Sequence, residues 1–154
     1  MTPVRFASRA MLASMFVTGG VDALRRPEHR AELAKPVLDL LARKFPDLPQ
    51  DPVLLVRVNA AVQVVAGMLL ATGRLRRASA LVLAASLVPT TIAGHRFWEA
   101  EDPDRRRQQM IHFQKNVAML GGLLLAAVDT EGKPSVSWRV RRVAHETREK
   151  LPIG

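Results

Sequence analysis

Residues 78–94 read ASALVLAASLVPTTIAG and contain no charged side chain. Extended through Phe97, this stretch reaches about the 20 residues that an α-helix needs to cross a bilayer. It is apolar on every face, like a second stretch at residues 53–72, and this is typical of helices whose outer surface meets lipid. The stretch therefore predicts a transmembrane helix.

Four stretches rich in Ala, Leu, Val, Met and Gly occur along the chain, and the predicted spans lie near residues 6–24, 53–72, 78–97 and 110–128. Three of them contain charged or polar residues, so a soluble bundle with exposed arginines is the alternative. Between the first two spans, Ala34, Val37, Leu38 and Leu41 recur at helical spacing and predict an amphipathic helix. The predicted fold is all-α: a four-helix transmembrane bundle with an amphipathic helix in the first outer loop.

The chain of 154 residues suits one domain, here residues 1–132, followed by a basic tail at residues 133–154. It has no cysteine, which excludes disulfides, thiolate metal sites and thiol redox catalysis by the chain itself. The net charge of +9 is scattered between apolar runs and accompanied by few aromatics, a pattern that favours the anionic surface of a lipid bilayer over nucleic acid.

The short connection GRLRR, residues 73–77, carries three arginines between two spans. Basic residues in short loops face the cytoplasm, so both termini are predicted to be cytoplasmic in a multi-pass protein of the plasma (inner) membrane. The other loops are also basic, which makes this only a bias. One of them, EAEDPDRRR at residues 99–107, is expected to be a solvated outer loop.

Polar side chains concentrate at the predicted outer ends of the spans and form the candidate ligand site. In the second span, Asn59 and Gln63 lie one turn apart, which suits hydrogen bonds between helices or contact with a ligand. Gly67 on the same stripe predicts close helix packing, as does the pair Gly121 and Gly122. The candidate site residues are His95, Trp98, His112, Lys115, Asn116, Asn59 and Gln63.

The two histidines lack a third ligand at suitable spacing, so no metal site is predicted. Two other interpretations of these residues remain open. A histidine could relay protons or hydrogen-bond a quinone, with Lys115 stabilising negative charge and Trp98 forming a wall. Alternatively, His95, Arg96 and Trp98 anchor a helix end among lipid headgroups, and Lys115 reaches the interface or pairs with Asp22.

Several of these segments resemble the DoxX family of small bacterial membrane proteins. The resemblance covers about residues 5–130 and is carried by SRAMLASMFVTGGVDAL (8–24), the run 59–91, GHRFWE (94–99) and IHFQKNVAMLGGLLLAA (111–127). The positions that match the family pattern are Gly94, His95, Phe97, Trp98, Phe113, Lys115, Asn116, Gly121 and Gly122. The resemblance implies a four-helix inner-membrane protein without agreed catalytic residues.

The family takes its name from a subunit of a thiosulfate:quinone oxidoreductase, and the resemblance therefore implies a place in redox biology. One hypothesis is a membrane scaffold or accessory subunit that recruits redox or thiol-handling partners through its basic tail and is not catalytic alone. The tail could equally bind only acidic lipids or stay solvated. The alternative is a quinone- or small-molecule-binding subunit of a membrane oxidoreductase, which requires His95, His112 and Asn59 or Gln63 to converge on one cavity.

Overall fold

The computed structural model describes residues 3–47 and 49–130 together with residues 138, 141 and 142. Over the continuous part it contains five α-helices and one 3-10 turn, and no strand occurs in what it describes. The helices are α1 Pro3–Arg25, α2 Pro27–Lys44, α3 Pro52–Thr72, α4 Arg76–Gly94 and α5 Pro103–Val128, with the turn at Phe97–Glu99. The predicted all-α class is confirmed. Most of the predicted tail lies outside the described residues.

Two helices start at an Asp-Pro pair. The Asp51 carboxylate accepts a hydrogen bond from the Val53 backbone N–H at 2.9 Å, and Asp102 accepts one from Arg105 at 2.7 Å. Each satisfies an N–H that has no partner within its helix, and proline suits the next position because it has no N–H to lose. The prediction of a solvated loop at residues 99–107 is therefore wrong for residues 103–107, because α5 begins at Pro103.

The turn between α3 and α4 is tight. Gly73 ends α3 in the left-handed conformation with φ 76°, and Leu75 also has a positive φ of 49°. Glycine adopts this conformation without the steric cost that a Cβ imposes, which explains its place after the last turn of α3. Arg77 then directs its Nε to the Ala127 carbonyl at 2.7 Å, which ties the start of α4 to the end of α5.

The closest helix packing joins α1 to α3. A Cβ on Gly20 would lie 2.9 Å from the Ala60 carbonyl oxygen, and one on Gly67 would lie 2.9 Å from Val17 Cγ2. The close approach predicted at Gly67 is confirmed. At Gly122 a Cβ would meet Leu12 at an ordinary 3.6 Å, whereas Gly121 has nothing within 4 Å, so the packing role predicted for Gly121 is wrong.

The contacts between helices place α3 between α1 and α4, and α4 between α3 and α5. A smaller contact joins α5 to α1. Buried side chains from these four helices form one core, which includes Phe16, Leu70, Leu83 and Leu123. Helix α2 packs on α3 and α4, and the Arg96 guanidinium donates to its Leu33 carbonyl at 3.1 Å. We call the end of the molecule where α2 lies the α2 end.

Three helices are long and apolar enough to cross a membrane: Pro52–Thr72, Arg76–Glu99 and Pro103–Val128. They correspond to the second, third and fourth predicted spans. The first predicted span, residues 6–24, falls in α1, which is of similar length but is not among these three. Large apolar side chains on their outer faces, such as Val65 and Leu125, are exposed. A membrane protein with apolar helices explains this exposure, because lipid covers such surfaces.

Candidate functional site

A cavity of about 770 Å³ lies under α2 at the α2 end. Its apolar wall comes largely from α2, with Leu38 and Leu41, and from Leu55 of α3. Polar side chains line the rest: Asp22, Arg26, His29, Arg30, Asn59, Gln63, Thr90 and His95. Ligand pockets in proteins commonly measure about 300–1,000 Å³ and combine apolar walls with a few polar groups. The cavity has the size and composition of a site for one small molecule.

The side chains of Asn59 and Gln63 are joined to α4 through Ser86. Gln63 Nε2 donates to Ser86 Oγ at 2.8 Å, and Ser86 Oγ donates to Asn59 Oδ1 at 2.8 Å. Asn59 Nδ2 also lies 3.5 Å from Thr90 Oγ1, and Thr90 donates to the Ser86 carbonyl at 2.7 Å. Both amides therefore bond between helices and line the cavity, so the two roles considered for them in the sequence are compatible.

His95 is the only predicted histidine of the site that lines the cavity within the described part of the chain. Its Nδ1 lies 2.8 Å from Gln109 Oε1. In the tautomer in which Nδ1 donates to this oxygen, Nε2 of His95 is an acceptor. The His112 ring stacks on His95 with centroids 5.2 Å apart and an interplanar angle of 26°. His112 thus supports His95 from outside the cavity wall.

Trp98 belongs to an aromatic cluster next to this wall. Its ring meets Phe97 edge to face at 5.1 Å and Phe113 at 6.0 Å, and Phe97 meets Phe113 at 5.4 Å. The Trp98 side chain is about half exposed and does not line the cavity. Trp98 therefore does not line this cavity, and its role as the wall of a ligand site stays a prediction. Its cluster instead holds the turn Phe97–Glu99 against α5.

The two remaining predicted residues also lie away from the cavity. Asn116 is buried and its Nδ2 donates to Thr91 Oγ1 of α4 at 3.0 Å, which makes it a helix-packing residue. Lys115 is exposed on α5. It does not pair with Asp22, because the Asp22 carboxylate binds the Arg30 guanidinium at 2.7 Å. Lys115 and Asn116 were predicted to join the histidines because all of them lie at the predicted outer ends of the spans.

Several residues that line or support the cavity were not predicted. Ser86 supports the cavity amides without lining the cavity; it lies in an uncharged run and carried no signal by itself, although Ser86 and Thr90 have the same four-residue spacing as Asn59 and Gln63. Arg26, His29 and Arg30 precede the predicted amphipathic segment, and no ligand role was predicted for them. Their place on the cavity follows from the way α2 folds back over α3 and α4.

Within residues 3–47 and 49–130, no group of three or more histidine, aspartate or glutamate side chains is arranged to hold a metal ion. The chemistry available at the cavity is hydrogen bonding by amides and imidazole, beside Arg26 and the Asp22–Arg30 ion pair. Such a set can orient a polar ring and hold or accept a proton at His95.

Comparison with known proteins adds the family. No curated protein and no solved structure matches the chain. The sequence model of the DoxX family matches residues 4–96, which include α1 to α4 and end at the turn after α4. Helix α5, part of the resemblance in the sequence, lies outside this match. The matched region is more than half of the chain and holds every residue that lines the cavity. The chain belongs to the DoxX family of membrane proteins.

Proposed function

We propose that this protein binds a quinone-type small molecule in the cavity at the α2 end and serves as a ligand-binding subunit of a membrane oxidoreductase. One observation carries the proposal: Asn59, Gln63 and His95 line a single cavity together with apolar side chains such as Leu38, Leu41 and Leu55. The hypothesis from the sequence also required His112, which reaches the cavity only through its stacking on His95.

The polar groups of the cavity match the functional groups of a quinone. A quinone has two carbonyl oxygens on a flat apolar ring, and the amide N–H groups of Asn59 and Gln63 are suitable donors to them. With its proton on Nδ1, the His95 imidazole suits the hydroxyl of the reduced form through Nε2. Leu38, Leu41 and Leu55 offer apolar surface for the ring and a hydrocarbon tail.

The membrane setting supports a lipid-soluble ligand. Helices α3 and α4, which line the cavity, are two of the three candidate spans. In the proposed arrangement α1 crosses the bilayer beside α3 as a fourth span, and α2 lies at the outer surface as an amphipathic cover. The protein would reside in the plasma membrane with both termini in the cytoplasm, as the arginines of the 73–77 turn favour.

The chain has no cysteine to carry electrons, so a partner would supply the reductant or oxidant for the bound molecule. This agrees with an accessory role beside redox or thiol-handling proteins, which remains a prediction. The basic tail expected to recruit such partners lies outside the described residues except for Trp138, Arg141 and Arg142.

The proposal is tested by ligand binding to the full chain purified in mild detergent. Equilibrium dialysis against a short-chain alkyl benzoquinone is expected to give saturable binding. Gln63→Leu removes one hydrogen-bonding side chain from the cavity and is expected to raise Kd about 10-fold. Gln114→Leu makes the same change at an exposed position of α5 outside the cavity and should leave Kd unchanged. Absence of saturable binding, or equal Kd values for the two variants, would contradict the proposal.

A further inference from the structure

Ser86 occupies a central position between the two cavity amides. Its side chain is buried in α4, and its hydroxyl contacts Gln63 and Asn59 of α3 at 2.8 Å each. A hydroxyl has one proton to donate. Because that proton goes to Asn59 Oδ1, Ser86 Oγ accepts from the Gln63 N–H. The two amides are therefore held in opposite senses, with the nitrogen of Gln63 and the oxygen of Asn59 towards Ser86.

The hydrogen bonds form a chain that runs in one direction. Gln63 donates to Ser86, Ser86 to Asn59, Asn59 to Thr90, and Thr90 to the Ser86 backbone carbonyl. Hydrogen bonds aligned in this way polarise one another and strengthen the chain. Its last acceptor is a backbone carbonyl of α4, so the helix backbone determines the direction of every bond before it.

The chain leaves a defined set of groups for a ligand. Each amide has two N–H groups and one carbonyl oxygen. Asn59 uses its oxygen and one N–H, so its second N–H remains for a ligand. Gln63 uses one N–H, so its second N–H also remains, and its Oε1 has no hydrogen-bond partner among residues 3–47 and 49–130. The cavity thus offers a donor from each amide and an acceptor from Gln63, one helical turn apart.

We propose that Ser86 is the positioning residue of the cavity, which selects ligands carrying hydrogen-bond acceptors by holding the Asn59 and Gln63 amides in fixed, opposite orientations. This inference rests on the proposed function, since it requires a ligand in the cavity. Without the Ser86 hydroxyl, the Gln63 amide can rotate by a half turn and exchange its donor and acceptor groups, and Asn59 keeps only its 3.5 Å bond to Thr90. The cavity would keep its shape and lose its polar discrimination.

The test compares Ser86→Ala with Ser79→Ala. Ser79 is a buried serine two helical turns earlier on the same face of α4, lies outside the cavity, and has no hydrogen-bond partner for its hydroxyl among the described residues. Binding of an alkyl benzoquinone is measured beside that of an alkylbenzene with the same chain, which has no polar group. Ser86→Ala is expected to raise the benzoquinone Kd about 10-fold and leave the alkylbenzene Kd unchanged. Ser79→Ala should change neither.

A loss of packing alone would weaken both ligands equally in Ser86→Ala, and that result overturns the positioning role. Ser86→Thr, which keeps the hydroxyl, should restore most of the discrimination. Nuclear magnetic resonance of the side-chain amides gives a readout that needs no ligand. The Asn59 and Gln63 amide signals should shift in Ser86→Ala and stay in place in Ser79→Ala, and unchanged signals would overturn the inference. Absence of benzoquinone binding by the wild-type protein overturns the proposed function instead, and the amide signals still decide the role of Ser86.

Discussion

Gly20 offers a sharp test of the helix packing beside the cavity. A Cβ at this position would lie 2.8 Å from Val64 Cγ2 and 2.9 Å from the Ala60 carbonyl oxygen. The second distance is roughly 0.6 Å short of the ~3.5 Å at which non-bonded atoms attract best. A valine methyl can move aside, but a helix carbonyl moves only with its backbone. Gly20→Ala must therefore push α1 away from α3.

The magnitude follows from two opposing terms. Alanine in place of glycine inside a helix stabilises it by about 1 kcal/mol. Overpacking of a tight contact costs about 1–3 kcal/mol. A Cβ on the neighbouring Gly19 would have no atom within 4 Å. Gly19→Ala should therefore gain the stabilisation of the helix without the cost of overpacking. The free energy of unfolding of Gly20→Ala should therefore fall about 1–3 kcal/mol below that of Gly19→Ala.

The measurement is reversible unfolding in mixed detergent micelles, with SDS as denaturant and tryptophan fluorescence as the signal. The wild-type chain, Gly19→Ala and Gly20→Ala are compared under identical conditions. Gly19→Ala should unfold at the same or a higher SDS fraction than wild type, and Gly20→Ala at a lower one. Equal midpoints for the two variants would refute the close approach of α1 to α3 at Ala60.

Two further predictions concern α5 and the tail. Asn116→Ala removes the bond to Thr91 between α5 and α4, so it should lower the free energy of unfolding by about 0.5–1.5 kcal/mol in the same assay, whereas Gln114→Ala at an exposed position should have little effect. An Asn116 variant as stable as wild type would contradict the packing role. Deletion of residues 133–154 should remove co-purifying redox partners in mild detergent if the tail recruits them. Identical partner sets with and without the tail would refute recruitment by this segment.

The helical class and three of the spans could be predicted from local composition. The run 78–94 has no charged side chain that would have to be buried in lipid. In a bilayer, a helix is one of the few structures in which every backbone N–H and C=O group has a hydrogen-bond partner. The start of α5 was missed although its signal is local. The Asp-Pro pair at residues 102–103 is a typical helix start, but the charges that follow it were interpreted as a loop. A run of charged residues indicates that a segment is exposed to solvent, but it does not exclude that the segment is a helix.

The candidate site was predicted in part. The spacing of Asn59 and Gln63 correctly placed them on one face, and that face lines the cavity. His112, Lys115 and Asn116 were included because they lie at a predicted outer end of a span, yet these three lie outside the cavity. Helical spacing shows which residues share a face, whereas the neighbour of that face depends on how each helix is rotated in the bundle.

The sequence alone determined that the chain is helical and apolar enough for a membrane, because hydrophobicity and backbone hydrogen bonding are properties of each segment. Only the tertiary structure decided that α2 folds over α3 and α4 and encloses a cavity beneath it. It also decided that Ser86 bridges Asn59 and Gln63, and that His95 faces the cavity while His112 stacks behind it. These contacts join residues 17 to 27 positions apart, and their geometry is set by helix packing rather than by any local pattern.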